Sequence, residues 1–237
     1  MDYKDYQAGG EQAFFWFRGK EGLLDTLLQR AGVCQGGKLL NLGAGTGSDT
    51  ATLSRYGAVS AFDACAEALA LIPDSLVAEK RVGDACALPY ADQCFDVVVA
   101  ADLLEHIADD VRVVQEIQRV LKVGGSFVCT VPAFNWLYSA RDTALGHARR
   151  YNKQMLATLL KDFSQVDLGY WNCALFVPVA IQRLMVRHAK PALETLTLPS
   201  WINATLLKIL QLENWLIARE IPLPVGITLY GVCKKTS

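Results

Sequence analysis

The sequence predicts an α/β fold built on a doubly wound parallel sheet. Three observations support it: an apolar segment leading into a glycine-rich turn at 39–47, short apolar runs that alternate with helical segments, and a continuous β-rich run at 94–100. Such a run is typical of a strand buried on both faces of a parallel sheet. The alternation predicts right-handed crossovers and a ligand site at the carboxyl edge of the sheet.

Composition sets the size and class of the chain. Its 237 residues are 52% hydrophobic and 20% charged with a net charge of −1, which predicts one globular domain, 1–237, and does not favour a nucleic-acid partner. The seven cysteines form an odd set without a C-x-x-C pair. We therefore expect neither a disulfide framework nor a metal site, and a reducing, cytoplasmic location.

The N-terminal segment, 1–34, is predicted to be helical and to lie near the ligand. Four aromatic residues stand side by side at 14–17, directly before helical apolar spacing at 22–28. Four adjacent rings cannot all face inward on one side of a helix. The segment is either part of the core or a lid, and in the second case Trp16 and Phe17 are candidate acceptor contacts.

The glycine-rich turn is the predicted ligand cradle. Glycines allow positive φ and a close approach of a ligand to bare backbone, and the N–H groups of the following helix point into the same crevice. The spacing is G-x-G-x-G, whereas the dinucleotide fingerprint G-x-G-x-x-G/A would need a small third residue at Ser48. The candidate cofactor contacts in this turn are Gly43, Ala44, Gly45 and Gly47.

This turn resembles motif I of the class I S-adenosylmethionine-dependent methyltransferases, of the type 11/12-like group. Asn41 stands where that family usually has Asp or Glu. Its amide still donates and accepts hydrogen bonds, so a contact near the methionine end of the cofactor is retained. The resemblance implies S-adenosylmethionine as cofactor, S-adenosylhomocysteine as product, and a Rossmann-like seven-stranded sheet of order 3-2-1-4-5-7-6 with the last strand antiparallel.

Two further acidic residues follow the next two predicted strands. A helix at 48–56 and a strand at 59–62 lead to Asp63 and Ala64, about 20 residues after the first glycine, where an acid accepts from ribose hydroxyls. Asp63 also suits an N-cap for a helix at 64–72. After a predicted strand at 76–78, Asp84 and Ala85 lie in a G-D-A-x-x-L-P segment that resembles the family's adenine loop, although Gly-Asp is also common turn chemistry.

The fourth predicted strand carries the motif F-D-V-V-V…L-E-H-I, which is similar to the family's fourth-strand motif. Its end supplies Ala101 and Asp102 as candidate cofactor contacts and His106 as a candidate base. A helix is predicted over 109–121, and the fifth strand over 126–132.

The loop after the fifth strand concentrates polar and aromatic residues, including Trp136 as a candidate acceptor contact. Its D-x-x-x-G-H-x-R-R-Y pattern resembles a methyltransferase subgroup that acts on small molecules or in polysaccharide and lipid-linked pathways. His147 is the first candidate base because imidazole titrates near neutral pH, followed by Tyr151 and His106; alternatively His147 braces the loop. Arg149 and Arg150 either clamp a phosphate or carboxylate or are solvated charges.

An insertion at 173–222 separates the sixth strand, 163–172, from the seventh, 226–233, and is predicted to form a helical cap. Its first helix has an apolar stripe and an opposite basic face. The stripe consists of Val177, Ile181, Leu184 and Met185, and the basic face of Arg183, Arg187 and Lys190. The insertion covers the active-site mouth, forms a homodimer interface, or lies on a membrane surface. No run reaches the length of a membrane span.

Together these patterns predict methyl transfer from S-adenosylmethionine to an oxygen or nitrogen atom of a small or lipid-like molecule. Two alternatives stay open. The chain is a non-catalytic module that binds S-adenosylmethionine or S-adenosylhomocysteine and acts through its insertion, or, less in keeping with Ser48, an NAD-dependent oxidoreductase.

Overall fold

The computed structural model describes residues 14–185 and 198–236. Its centre is one seven-stranded sheet, whose strands are β1 (Gly37–Leu42), β2 (Gly57–Asp63), β3 (Glu79–Val82), β4 (Phe95–Ala101), β5 (Leu121–Pro132), β6 (Ser164–Trp171) and β7 (Thr228–Lys234). The strand order is β3-β2-β1-β4-β5-β7-β6, and β7 runs antiparallel to both β5 and β6. The predicted fold class and strand order are confirmed.

Helices cover both faces of this sheet. They are α1 (Phe15–Arg30), α2 (Thr50–Leu53), α3 (Ala66–Ala70), α4 (Asp110–Val120), α5 (Ala140–Ala144), α6 (Lys153–Leu159), α7 (Phe176–Met185) and α8 (Ser200–Ala218). The helix predicted over 109–121 is confirmed as α4, whereas α2 and α3 are shorter than predicted. The sequence analysis did not predict α5, which begins with a capping box formed by Ser139 and Asp142.

The central strands are buried on both faces, as their apolar runs predict. Leu40 in β1 packs in the cluster that includes α4, while Leu39 packs on the opposite face against residues of α1 such as Leu27. All three side chains are fully buried. Burying one such leucine contributes about 1.5–3 kcal/mol, so the two helical layers hold the carboxyl edges of β1 and β4 in fixed positions.

The third strand lies later in the chain than predicted. Residues 76–78 were expected to form it, but residues 74–76 form a 3-10 turn and β3 begins at Glu79. This edge strand pairs only with β2, and its Arg81 and Val82 are exposed. An edge strand needs no continuous apolar run. The apolar residues 76–78 therefore gave a wrong prediction of where this strand lies.

The insertion packs on the N-terminal helix through α8. The Phe15 amide donates to Asn203 Oδ1 at 2.8 Å, and Asn214 Nδ2 donates to the Gly19 carbonyl at 2.9 Å. A Cβ atom at Gly19 would collide with Leu210 of α8, so glycine is required for the two helices to approach this closely. Helices α1 and α8 therefore form one packed unit.

The first insertion helix, α7, turns its apolar stripe outward. Val177, Ile181, Leu184 and Met185 are 49–81% exposed, whereas Arg183 points inward to an ion pair with Asp142. The ion pair sets the rotation of α7, so the stripe does not cover the sheet. Arg187 and Lys190 lie outside the described residues. Among the described helices, none combines the length and apolar character needed to cross a membrane.

Glu213 of α8 anchors the start of the insertion. Its carboxylate is 5% exposed and accepts from three consecutive backbone amides: Asn172 and Cys173 donate to Oε2 at 2.7 and 3.1 Å, and Ala174 donates to Oε1 at 2.9 Å. These amides follow β6, where the chain leaves the sheet. One buried carboxylate thus satisfies the hydrogen-bonding needs of three backbone amides where the chain leaves the sheet.

We expect Glu213→Ala to lower the free energy of unfolding by about 3 kcal/mol, because three amides lose their acceptor in a buried site. Glu213→Gln, which keeps one acceptor oxygen, should lose roughly half as much. Urea denaturation followed by circular dichroism measures both values.

Gln211→Ala is the matched control, because Gln211 is exposed on the same helix and its removal should cost less than about 0.5 kcal/mol. Equal stability of Glu213→Ala and this control would contradict the anchoring role.

Candidate active site

The glycine turn follows β1 at the carboxyl edge of the sheet. Gly43, Gly45 and Gly47 all have positive φ, of 77°, 50° and 88°. A Cβ at Gly43 would come within 2.7 Å of Leu103, and one at Gly47 within 2.8 Å of Ile72, whereas a Cβ at Gly45 would meet nothing within 4 Å. The outer two glycines thus serve packing, and Gly45 presents bare backbone to open space, as a nucleotide-type cradle requires.

Asp63 fastens this turn to the end of β2. Its Oδ2 accepts from the Gly45 amide at 2.8 Å, and its Oδ1 accepts from the Cys65 amide at 2.9 Å. Helix α3 begins only at Ala66, after Cys65, so Asp63 shapes the turn before the helix rather than acting as its N-cap. The acid therefore lies beside the cradle, next to Ala64, with the geometry of its strand end fixed.

Asn41 lies beneath the turn rather than in it. The side chain is 1% exposed, and its Nδ2 donates to Thr50 Oγ1 at 3.1 Å, which links β1 to α2. In the loop after β3, the exposed Asp84 accepts from the Cys86 amide through Oδ1 at 2.8 Å, and Ala85 lies between them. Both the turn chemistry and the acidic group predicted for this loop are therefore present.

Two residues that the sequence analysis missed approach the cradle from the side. Lys20 of α1 lies 2.8 Å from Asp102 Oδ2 and 3.9 Å from Asp49 Oδ2. Thr130 Oγ1 also donates to Asp102, at 2.9 Å. Burial raises the pKa of Asp102, but the Lys20 charge and these hydrogen bonds outweigh it and lower the pKa. Burial raises the pKa of Asp49, against the effect of Lys20.

His106 and His147 meet between β4 and the loop after β5. Their rings are perpendicular, with centroids 4.7 Å apart, and His147 Nδ1 lies 3.1 Å from Asp142 Oδ1. Burial, together with the nearby His147, lowers the pKa of His106 to about 4. Burial and the charge of Asp102 raise the pKa of the adjacent Glu105 well above its ordinary value. At neutral pH His106 is therefore uncharged.

Asp142 is the electrostatic centre of the loop. It is fully buried, and it accepts from Arg150 Nε at 2.8 Å and from Arg183 Nη1 at 2.6 Å. Burial would raise the pKa of Asp142, but the hydrogen bond from His147 and the two guanidinium charges hold it well below its usual range. The carboxylate orients His147 and also joins the loop to α7.

The arginine and tyrosine of the G-H-x-R-R-Y pattern belong to the framework. Arg150 is 2% exposed and binds Asp142 and the Ala133 carbonyl. Tyr151 is 1% exposed and donates to Asp110 Oδ2 at 2.7 Å. Burial, and then that hydrogen bond, raise the pKa of Tyr151. These contacts brace the loop, whereas the sequence offered Tyr151 as a candidate base and Arg150 as either an anion clamp or a solvated charge. Arg149 pairs with Asp110 at 2.9 Å.

The candidate acceptor aromatics lie in two places. Trp16 packs against Trp171 with ring centroids 5.1 Å apart, and the neighbouring Phe17 is partly exposed. Trp136 is 47% exposed and contacts the rings of Phe134 and Phe176. The structure brings Trp136 next to α7, whereas Trp16 and Phe17 lie on α1.

The chain is similar to known proteins over part of its length. A family model described as a methyltransferase domain matches residues 40–129. A demethylmenaquinone methyltransferase of Shouchella clausii is 36% identical over 130 residues, covering 48% of this chain and 55% of that protein. A probable S-adenosylmethionine-dependent methyltransferase of Mycolicibacterium smegmatis is 32% identical over 159 residues, covering 62% and 58%. The matched part is thus less than two thirds of the length of each relative.

Solved structures share the fold. Phosphoethanolamine N-methyltransferase 2 from Haemonchus contortus, in complex with S-adenosyl-L-methionine, superposes with a TM-score of 0.61 at 18% identity. The superposition covers 100% of this chain and 60% of that one. At this level of identity the likeness supports the fold alone.

We expect Asp142→Asn to lower the free energy of unfolding at pH 7 by about 3–5 kcal/mol, because two buried guanidinium groups lose their counter-charge. The folded-state pKa of Asp142 is depressed, so its contribution is present above its unfolded pKa of about 4 and is lost as the pH falls further. Wild-type stability should therefore fall more steeply below pH 4 than that of the variant, as measured by urea denaturation at each pH.

Asp92→Asn is the control, because Asp92 pairs with Arg119 at the surface with 73% of its side chain exposed. It should cost less than about 1 kcal/mol. The same loss in both variants would count against a special role of the buried carboxylate.

Proposed function

We propose that the chain transfers a methyl group from S-adenosylmethionine to an oxygen or nitrogen atom of a small or amphipathic molecule. The proposal is supported by the match of residues 40–129 to a methyltransferase domain and by a relative named as a probable S-adenosylmethionine-dependent methyltransferase. The observation that carries the proposal is the open backbone at Gly45, fixed by the Asp63 carboxylate. A side chain at Gly45 would project into the space that a nucleotide needs, so the residues present fit the cofactor.

The proposed cofactor site follows the carboxyl ends of four neighbouring strands. Asp63 would accept from the ribose hydroxyls, and Asp84 from the adenine amino group, because a carboxylate is an acceptor and these groups are donors. The other proposed contacts are Gly43, Ala44, Gly45, Gly47, Ala64, Ala85, Ala101 and Asp102. The buried Asn41 would support the turn from beneath instead of contacting the cofactor, as the sequence had led us to expect. Bound there, S-adenosylmethionine supplies a methyl carbon already activated by its sulfonium.

The proposed acceptor site lies beside the histidine pair. Methyl transfer is an in-line displacement, so most of the acceleration comes from holding the acceptor atom in line with the methyl carbon. His147, oriented by Asp142, would remove the proton of a hydroxyl acceptor, and the uncharged His106 lies next to it. Trp136, Trp16 and Phe17 would contact the acceptor's apolar part.

An amphipathic acceptor is supported by two kinds of observation. One relative is named as a demethylmenaquinone methyltransferase. We propose that the acceptor of this chain is a molecule of the same amphipathic kind. The insertion also exposes apolar side chains, including Trp201 at 72% and Met185 at 81%. We propose this surface as a contact with a membrane surface or with a second copy of the chain. All seven cysteines are free thiols, which supports a reducing, cytoplasmic location.

We predict that the purified chain binds S-adenosylhomocysteine with a 1:1 stoichiometry and that Asp63→Asn weakens this binding about tenfold or more. The amide cannot replace the carboxylate as acceptor for both Gly45 and Cys65, and it loses a charge-assisted hydrogen bond to ribose, worth about 1.5–3 kcal/mol. Isothermal titration calorimetry gives the dissociation constants.

Asp74→Asn is the matched control, because the Asp74 side chain is 93% exposed and pairs with Lys80. Its affinity should equal that of the wild type. Binding of NADH in place of S-adenosylhomocysteine would overturn the proposal and favour an oxidoreductase.

A second prediction concerns the transfer itself. Incubated with radiolabelled S-adenosylmethionine and an extract of cells that express the chain naturally, the wild type should label a small molecule. His147→Ala should slow labelling roughly 100-fold, the usual loss on removing a general base, while S-adenosylhomocysteine affinity stays unchanged. The label is counted after separation into organic and aqueous phases.

Label in the organic phase would identify a lipid-like acceptor, and label in the aqueous phase a polar one. Binding of S-adenosylhomocysteine with no label in either phase would contradict the enzyme and support the non-catalytic module.

A further inference from the structure

Three potential metal ligands converge beside the proposed acceptor site. Glu105, His106 and His147 each offer one ligand atom, and the three atoms lie within 4.8 Å of one another. Glu105 and His106 come from the 3-10 turn after β4, whereas His147 comes from the loop after β5. Residues about 40 positions apart are therefore brought to one point at the carboxyl edge of the sheet.

A hydrogen-bond partner orients each of the two imidazoles. Asp142 lies 3.1 Å from Nδ1 of His147, so Nε2 is the nitrogen left for a ligand. His106 is held by a backbone hydrogen bond with Gly146, the residue before His147. A carboxylate that holds the second nitrogen of a histidine is the usual outer partner of a metal-bound imidazole, since it fixes the tautomer and raises the basicity of the ligand nitrogen.

The carboxylate of Glu105 lacks a partner for one of its oxygens. The residue is 1% exposed, and among the described residues its Oε2 has no hydrogen-bond acceptor or donor within reach. An unsatisfied buried polar atom of this kind is costly and calls for an explanation such as an unseen ion. No other set of three such ligands occurs among the described residues.

We propose that Glu105, His106 and His147 bind a divalent first-row metal ion, zinc or manganese, which holds the oxygen of a hydroxyl acceptor for methyl transfer. The sequence analysis expected no metal site because it relied on cysteine spacing. Two imidazoles and one carboxylate suit these ions better than magnesium, and three protein ligands leave coordination positions open for the acceptor. The acceptor part of the proposal rests on the proposed function.

The geometry needs only a small adjustment. Zinc lies about 2.0–2.2 Å from nitrogen and oxygen ligands, so ligand atoms end roughly 3–3.5 Å from one another. The ligand atoms, which lie within 4.8 Å of one another, would therefore have to approach by about 1–2 Å on binding the ion.

The ion would replace His147 as the group that activates the hydroxyl. A Lewis acid lowers the pKa of a bound hydroxyl, so its proton passes to water at neutral pH. The oxygen then forms a bond to the methyl carbon, the carbon–sulfur bond breaks, and its electron pair stays on sulfur as neutral S-adenosylhomocysteine. With the ion bound, Asp142 acts as a positioning residue for His147.

The test is direct metal binding to the full chain after dialysis against EDTA. Titration with Zn²⁺ by calorimetry, and with Mn²⁺ by electron paramagnetic resonance, should give one site per chain. Glu105→Gln, His106→Ala and His147→Ala should each weaken binding at least roughly 10-fold, since the loss of an outer partner alone costs that much. His188→Ala, which removes the third histidine of the sequence, and Glu67→Gln at an exposed position are the matched controls.

Each outcome decides one proposal. The wild type should bind S-adenosylhomocysteine equally well with and without EDTA, and the same binding by the variants confirms that they fold. Label transfer, in contrast, should stop with EDTA and return when the metal is added. Wild-type protein that binds no metal, or ligand variants that bind it as tightly as the controls, would overturn the metal site. Metal binding without S-adenosylhomocysteine binding would instead overturn the proposed function, and label transfer that EDTA leaves unchanged would overturn the metal's catalytic part.

Discussion

The buried carboxylate of Asp142 is the interaction on which the functional half of the molecule depends. It neutralises Arg150 from its own loop and Arg183 from α7, and it orients His147. A buried ion pair adds little to stability compared with apolar packing, but it allows only one arrangement of its partners. Here it fixes the rotation of α7 and the position of the histidine together, so the insertion and the site chemistry share one constraint.

Much of the fold is readable from sequence because its signals are local. The apolar residues of β1 and β4 pack on both faces of the sheet, and the glycines between Leu42 and Ser48 mark a turn whose backbone has positive φ. The polar edge strand β3 was misplaced because its stability comes from pairing with β2 rather than from burial. The sequence also does not predict that the apolar stripe of α7 faces outward, because the rotation of α7 is set by Asp142, more than 40 residues earlier.

The residues of the candidate site also differ in whether local sequence signals or long-range packing bring them there. Asp63 and Asp84 follow strands and belong to short motifs, so sequence alone is enough to propose them as site residues. The sequence does not point to Lys20, because the approach of Lys20 to Asp102 depends on how α1 packs across the sheet. The sequence offered Tyr151 as a candidate base and left Arg150 open between an anion clamp and a solvated charge, and only the three-dimensional structure places both in the interior. Residue type predicts what a side chain can do, while burial determines whether it reaches a substrate.

The packing of α1 on α8 has a consequence for how the chain folds during synthesis. The hydrogen bond from Phe15 to Asn203 spans 188 residues, so the surface of α1 that meets α8 leaves the ribosome long before its partner exists. At about 5–20 residues per second, that interval is roughly 10–40 s. Contacts of such long range also slow folding, because the chain entropy of closing the loop is lost before any contact forms. Helix α1 is thus made before every other described helix and strand, and it is among the last of them to reach its final environment.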